Sequence, residues 1–223
     1  MISRKTVRHI VLFGPPGVGK GVQAKLLSDF HGLGYLSTGE RIRAEIELGS
    51  ELGKRFGDAV SRGQFVDDET MVALVQECVQ GEEFRRGFIL DGFPRTVNQA
   101  RSLDQHLRHQ DASIECALFL GASEETILER LSGRLVCSQC EESYHSAFRR
   151  PTLDSVCDEC GAPVIRRRDD DPAVYRRRLK IYQKETAPLV EYYDAQGVLR
   201  RVDSDRPVEA VADSVRRAVL GVV

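Results

Sequence analysis

Short apolar runs with β-branched character fall at residues 8–13, 88–90, 114–120 and 198–202, and long stretches of helical periodicity separate them. Strand alternating with helix predicts a parallel sheet covered on both faces, an α/β fold. Residues 19–30 place Val22, Leu26 and Phe30 at spacings of four. Residues 67–80 bring Met71, Leu74, Val75 and Cys78 onto one stripe. Both patterns predict helices that turn those side chains to the core. A longer pattern over 172–193 carries Val174, Leu179, Ile181, Tyr182, Leu189 and Tyr193. Pro172 suits its first turn, and Pro188 inside it predicts a kink or break. The block 133–171 is different in kind. Paired cysteines, Pro151, Pro163 and clustered charge describe a small module inserted late into the α/β core.

The chain has 223 residues, 41% hydrophobic and 30% charged. That is enough apolar material for one sizeable domain with one or two small insertions, and too little for two large independent ones. Lys plus Arg is 32 against 34 Asp plus Glu, a formal charge of −2. No whole-molecule field favours nucleic acid or an anionic membrane, so any polyanion site must be local. The first apolar run has only the four residues 10–13, and no run of 18 occurs. The expectation is a cytoplasmic protein with no membrane span and no export leader.

The run ending at Phe13 leads into Gly14-Pro-Pro-Gly17-Val18-Gly19-Lys20, which satisfies G-x4-G-K between a predicted strand and a predicted helix. Such glycines let main-chain N–H groups converge on one anion. The helix N-terminus adds partial positive charge, and Lys20 sets an ammonium where β and γ phosphates lie. Position 21 is Gly, where a Ser or Thr hydroxyl commonly ligates Mg2+, so the metal must be held mainly through water and phosphate. Asp91 follows a short apolar run and would emerge at the carboxyl end of a buried strand, where a carboxylate can order waters around Mg2+. Gly92-Phe93-Pro94-Arg95-Thr96 then holds an arginine fork on a rigid turn, and Ser37-Thr38-Gly39-Glu40 starts like a helix cap with Arg43 one turn in.

Four of the six cysteines form two C-x2-C pairs, Cys137 with Cys140 and Cys157 with Cys160, separated by 16 residues. This is knuckle spacing for a four-thiolate zinc site. A closed S4 shell leaves no open coordination position, so the zinc is expected to be structural, in a module too small for a core of its own. His145 is expected to be no ligand. Cys78 and Cys116 lie in apolar patterns and are expected in the core.

Taken in order, these motifs resemble the adenylate kinases, and more closely the bacterial long-lid form whose lid carries a metal. The resemblance rests on 14–21, Ser37-Thr38-Gly39 with Arg43, 65–69, 87–96 with Gln99, Gly133-Arg134, the four cysteines, 167–170, 176–179 and 186–189, which span nearly the whole chain. It implies a P-loop nucleoside monophosphate kinase fold: a five-stranded parallel sheet surrounded by helices. The core would comprise 1–36, 67–132 and 171–223, with an AMP-binding insertion at 37–66 and a zinc lid at 133–170. It implies Mg2+-dependent, reversible conversion of ATP and AMP into two ADP by a monomer. Gly17, Val18, Gly19, Lys20, Gly21 and Val22 would hold donor phosphates, with Arg130, Arg134, Ser143, Tyr144 and Arg206 around the rest of ATP. Thr38, Arg43, Gln64, Phe65, Val66, Gly92, Phe93, Pro94, Arg95 and Gln99 would bind AMP. Arg167 and Arg178 would touch the group in flight, while Lys20, Asp91, Arg95 and Arg134 complete the catalytic set.

The chemistry is consistent with that resemblance. Joining two anionic nucleotides requires neutralising both phosphate chains and the charge on a loose transition state, which arginines and Mg2+ do without a covalent intermediate. Three positions depart from the family's habit: Val22 for a Thr, Leu135 for a second lid arginine, and Phe65 for a smaller aliphatic residue. Two alternatives stay open at this point: another nucleoside monophosphate kinase, with GTP as donor or UMP, CMP or GMP as acceptor, or a zinc-ribbon nucleic-acid binder with a vestigial P-loop. Against the latter, Glu141, Glu142, Asp154, Asp158, Glu159 and the acidic run 169–171 cancel the neighbouring Arg149, Arg150 and 166–168.

Overall fold

The structure is a computed structural model and describes residues 7–61, 66–167 and 170–221. Gln64 and Phe65, expected at the acceptor, lie outside the described residues. The core is a five-stranded parallel sheet in the order β2-β3-β1-β4-β8, built from β1 (His9–Phe13), β2 (Gly34–Ser37), β3 (Phe88–Asp91), β4 (Cys116–Gly121) and β8 (Leu199–Asp203). Ile10, Val11, Leu12, Ile89, Leu90, Leu118 and Leu120 are fully buried, as expected of strands covered on both faces. The four strands expected from the sequence are present with shifts of a residue or two. The fifth, β2, is an addition: its four residues run directly into the Ser37 cap of the next helix and leave no separate apolar run to see.

Helices cover both faces: α1 (Lys20–His31), α4 (Asp68–Cys78), α5 (Val97–Arg108), α6 (Glu124–Ser132), α7 (Pro172–Ile181), α8 (Leu189–Ala195) and α9 (Val208–Leu220), while α2 (Thr38–Glu47) and α3 (Glu51–Ser61) fill the segment after β2. The stripe Met71, Leu74, Val75 faces the core as the sequence predicts, with Cys78 packed at its edge, and Asp67 caps α4 by accepting from the Thr70 N–H.

In α1 the expected face is wrong. Gln23, Ala24 and Leu27 are buried, whereas Phe30 is 55% exposed under the Arg216 guanidinium. The helix is rotated because the Gln23 amide donates to the Val208 carbonyl, which holds this face against α9. Pro188 does interrupt the 172–193 pattern. α7 ends in a π-helical turn, Tyr182–Thr186, before α8 starts at Leu189.

Between α6 and α7 the chain leaves the core to form a separate three-stranded antiparallel sheet, β6-β5-β7, from β5 (Arg134–Cys137), β6 (Ser143–His145) and β7 (Val164–Ile165). The connection leaving β1 runs toward β2 and the one leaving its neighbour β3 runs the other way toward β4, so the sheet's switch point lies between β1 and β3. A crevice outside the carboxyl ends of the strands at such a point is where open α/β sheets bind ligands.

Candidate active site

The β1–α1 turn is built on glycines that take φ of +152° at Gly14, +85° at Gly17 and +101° at Gly19. At Gly14 a Cβ would stand 2.2 Å from the Leu120 carbonyl oxygen, so the turn closes only without a side chain. Lys20 opens α1, and its Nζ folds back to donate to the carbonyls of Gly14 and Pro15, at 2.9 Å each. Burial pushes Lys20 down to about 8; Asp91 opposes this, and Arg178, Arg95 and Arg134 add to it. One half-buried ammonium thus feels Asp91 and three of the arginines the sequence singled out.

Asp91 ends β3 beside Leu12 of β1 and Ser37 of β2. It is buried, 9% exposed, and burial raises its carboxyl while Lys20, Arg95, Arg167 and Arg43 pull it back. Its Oδ2 lies 3.4 Å, and the Tyr35 hydroxyl 3.6 Å, from where a Cβ on Gly21 would stand. The missing side chain at position 21 therefore opens the first turn of α1 toward a carboxylate. Glu40 lies nearby. Burial raises it, Lys25 lowers it, and Glu141 and Asp91 raise it further. Two partly desolvated carboxylates beside a phosphate-binding turn fit a hard, oxygen-seeking cation such as Mg2+.

Thr38, 1% exposed, donates to the Gly92 carbonyl at 2.9 Å and ties the start of α2 to the turn after β3. In that turn, Phe93–Pro94 is a cis peptide. Phe93 and Val66 point into the core, so only their main chain can face a ligand. The Arg95 Nε donates to the Gly92 carbonyl at 2.7 Å, and the Thr186 hydroxyl donates to the Arg95 carbonyl at 2.8 Å. Both ends of the Gln99 amide are engaged within the chain: Nε2 donates to Asp68 at 2.7 Å and Oε1 accepts from the Arg95 N–H at 2.7 Å. Gln99 can read a base edge only by exchanging one of these partners. Asp68, inside the matched segment 65–69 but assigned no role there, is a neighbour of the site; its Oδ2 also accepts from Thr96.

Across the crevice, Arg130 spans the donor side. It donates to the carbonyls of Val18, Ser204 and Arg206, which locks the P-loop to the loop after β8. Arg134 pairs through Nε and Nη2 with Asp170, Nε at 2.7 Å from Oδ2. Arg43 pairs through Nε and Nη2 with Glu141, Nε at 2.5 Å from Oε1. Of the basic residues near α7, Arg167 and Arg178 are half-buried and act on Asp91 and Lys20 respectively, whereas Arg166, Arg176 and Arg177 face solvent.

The four cysteines meet as their spacing requires. Their Sγ atoms lie within 4.8 Å of one another, with Cys137–Cys160 at 3.4 Å, Cys140–Cys157 at 3.6 Å and Cys140–Cys160 at 3.5 Å, all unbridged. Four sulfurs about 2.3 Å from a common zinc are separated by about 3.8 Å, so the set fits a tetrahedral ion after slight expansion. Desolvation pushes the Cys157 thiol up, but hydrogen bonds from Tyr144 and from the Cys160 and Glu159 main chain bring it down to about 6, toward the thiolate a metal needs. Tyr144, expected beside the donor, has its side chain 3% exposed in the small core around the cysteines, where its hydroxyl contacts the Cys157 sulfur at 3.4 Å and accepts from the Asp158 N–H, so only its main chain is left to face a nucleotide. His145 stacks on Phe148 and is absent from the sulfur cluster.

The adenylate kinase family model matches residues 12–198. The chain belongs to the adenylate kinase family. It is 41% identical to the adenylate kinase of Clostridium acetobutylicum over 95% of this chain and 98% of that protein. It is 42% identical to that of Chloroherpeton thalassium over 92% and 95% respectively, and 40% identical to that of Methanosarcina mazei over 93% and 96%. As a member of the adenylate kinases it is a nucleoside monophosphate kinase, a phosphotransferase acting on ATP, AMP and ADP with Mg2+. The relatives support neither alternative that the sequence left open. Among the described residues, no helix is long and apolar enough to cross a membrane.

Proposed function

We propose that the chain works as a monomeric cytoplasmic adenylate kinase whose P-loop holds the donor and whose β2–α4 segment holds the acceptor, with transfer occurring directly between the two nucleotides. The residues 37–66 would form the AMP insertion, 133–170 the zinc lid, and the rest the core. One observation carries this proposal: Lys20, Asp91, Arg95, Arg134, Arg167 and Arg178 come from five separate parts of the chain and act on one another at the switch point of the sheet.

In this assignment the N–H groups of 17–22 and Lys20 bind donor phosphates at the positive end of α1. Arg130 and the main chain near Arg206 bound the donor base, with Ser143 on the lid rim. Thr38, Val66, Gly92 and Gln99 bound the acceptor, and Arg43 and Arg95 take its phosphate. Arg134, Arg167 and Arg178 neutralise the charge that spreads over the moving phosphoryl group. Asp91 and Glu40 would hold Mg2+ through water, and the ion would supply charge neutralisation for the donor's phosphates. Cys137, Cys140, Cys157 and Cys160 would hold Zn2+, which would cross-link a lid whose closure keeps water from acting as acceptor.

Purified protein with ATP, AMP and Mg2+ should yield two ADP per turnover by chromatography. CMP, UMP and GMP tested with the same donor should turn over far more slowly. Preference for any of the three over AMP would overturn the acceptor assignment.

A further inference from the structure

The acceptor-side arginine Arg43 is engaged by a residue from the other side of the crevice. Glu141 lies 98 residues away, in the turn directly after Cys140, and both of its oxygens face the Arg43 fork in a half-buried pair. Beside it, Glu142 of the same turn approaches Lys25 of α1 at 3.8 Å while also pairing with Arg149 at 2.6 Å. Two consecutive carboxylates of the lid thus reach two cations of the core and the insertion. A cavity of about 320 Å³ lies alongside, with Ser37, Glu40 and Arg41 on one wall and Ser138, Gln139 and Glu141 on the other.

Glu141 holds this position at φ +55°, one of three non-glycine residues with positive φ among those described. Left-handed backbone favours Gly, and Glu has no local advantage there. A carboxylate kept on a strained turn and aimed at a guanidinium presents two oxygens in the planar geometry that also suits a phosphate.

We propose that Glu141 is an internal stand-in for the acceptor's phosphate: it occupies the Arg43 fork, holds the lid against the insertion, and must be displaced when the monophosphate binds. The proposal rests on the assignment of Arg43 to the acceptor phosphate. Glu141 would then set acceptor affinity without touching the acceptor, weakening it by the energy of the pair it competes with. Lys25 and Arg149 hold Glu142 and not Glu141, so the competition is confined to Arg43.

The test compares the parent with Glu141→Gln, which keeps shape and strain, and Glu141→Gly, which relieves the strain, each checked for unchanged zinc content. Both should lower the KM for AMP about fivefold, as befits a half-exposed pair, with the KM for ATP nearly unchanged. Without nucleotide, energy transfer between dyes at positions 51 and 152 should report a longer lid-to-insertion distance in both variants. An unchanged or raised KM for AMP in both, or an unchanged distance, would overturn the proposal. Arg43→Ala, run in parallel, separates the two levels. If it raises the KM for AMP while the Glu141 variants leave it unchanged, only the stand-in role fails. If it leaves the KM for AMP unchanged, the Arg43 assignment fails and the proposal with it.

Discussion

The Thr186 hydroxyl donates to the carbonyl of Arg95 at 2.8 Å, joining the π-helical turn after α7 to the acceptor loop 91 residues earlier. α7 carries Arg178 and the loop carries Arg95, so this bond ties the arginine proposed for the moving phosphoryl group to one proposed for the acceptor's phosphate. Thr186 is 4% exposed, and Thr186→Val would keep its volume while stranding a carbonyl. The expected cost is about 1–3 kcal/mol of stability by chemical denaturation. Turnover should fall several-fold, with KM for AMP affected more than KM for ATP. Equal change in both would show that the bond supports the fold alone.

Lys20 is expected to give opposite pH responses in activity and stability. Its ammonium is held down to about 8 by burial, against an ordinary value of 10.5. Between those values the unfolded chain binds more protons than the folded one, so this group's contribution to folding stability rises with pH across the window. The charge that grips the phosphates is lost over the same window, and kcat/KM for ATP should fall above a pH of about 8. Bound phosphates favour the ammonium, so the fall in kcat should lie at higher pH. Lys20→Met should abolish most transfer, flatten that limb of the profile and leave the lid's zinc in place. A profile unchanged by this substitution would exclude Lys20 as the titrating group.

If the four sulfurs hold zinc as proposed, its removal should act on the three-stranded sheet around them before it acts on chemistry. Cys137 anchors β5, its sulfur accepts from the Gln139 and Cys140 N–H groups, and it sits in a lid core with Tyr144, Cys157 and Val164 as its other buried members. So few apolar side chains cannot stabilise an independent sheet. Cys137→Ser, or a strong chelator, should lower the melting temperature and the metal content together, with a smaller loss of turnover at low temperature. Metal loss with an unchanged melting temperature would mean that the lid's sheet stands without it.

Whether a feature could be read from sequence depended on whether its physics is local. The P-loop, Asp91 and the cysteine pairs are each contiguous, and their spacing alone implies a turn, a strand end and a tetrahedron. Gln23 shows the limit: a polar side chain faces the core because its amide finds the Val208 carbonyl 185 residues away, and periodicity counted it as surface. The contact of the Tyr144 hydroxyl with the Cys157 sulfur joins residues 13 apart in the chain, and no local pattern announces it. The pairing of Arg43 with Glu141 and of Arg134 with Asp170 joins segments whose distance only the fold sets.

Val22 gives the sharpest test of the donor site. It occupies the first turn of α1, one residue beyond the Gly21 that faces Asp91, and it is half-buried where the family habitually offers a Thr hydroxyl. Its side chain cannot donate to a phosphate oxygen. A hydrogen bond to a charged group is worth roughly 1.5–3 kcal/mol, which corresponds to about tenfold to a hundredfold in rate if the bond is made in the transition state. Val22→Thr is nearly isosteric and should raise kcat/KM for ATP within that range while leaving KM for AMP unchanged. Added hydroxyl with no added rate would mean that Tyr35, whose hydroxyl lies 3.6 Å from the open position at Gly21, already supplies the missing donor. Tyr35→Phe should then cost in this chain what losing the Thr costs its relatives, and the double variant Val22→Thr with Tyr35→Phe should recover most of the activity.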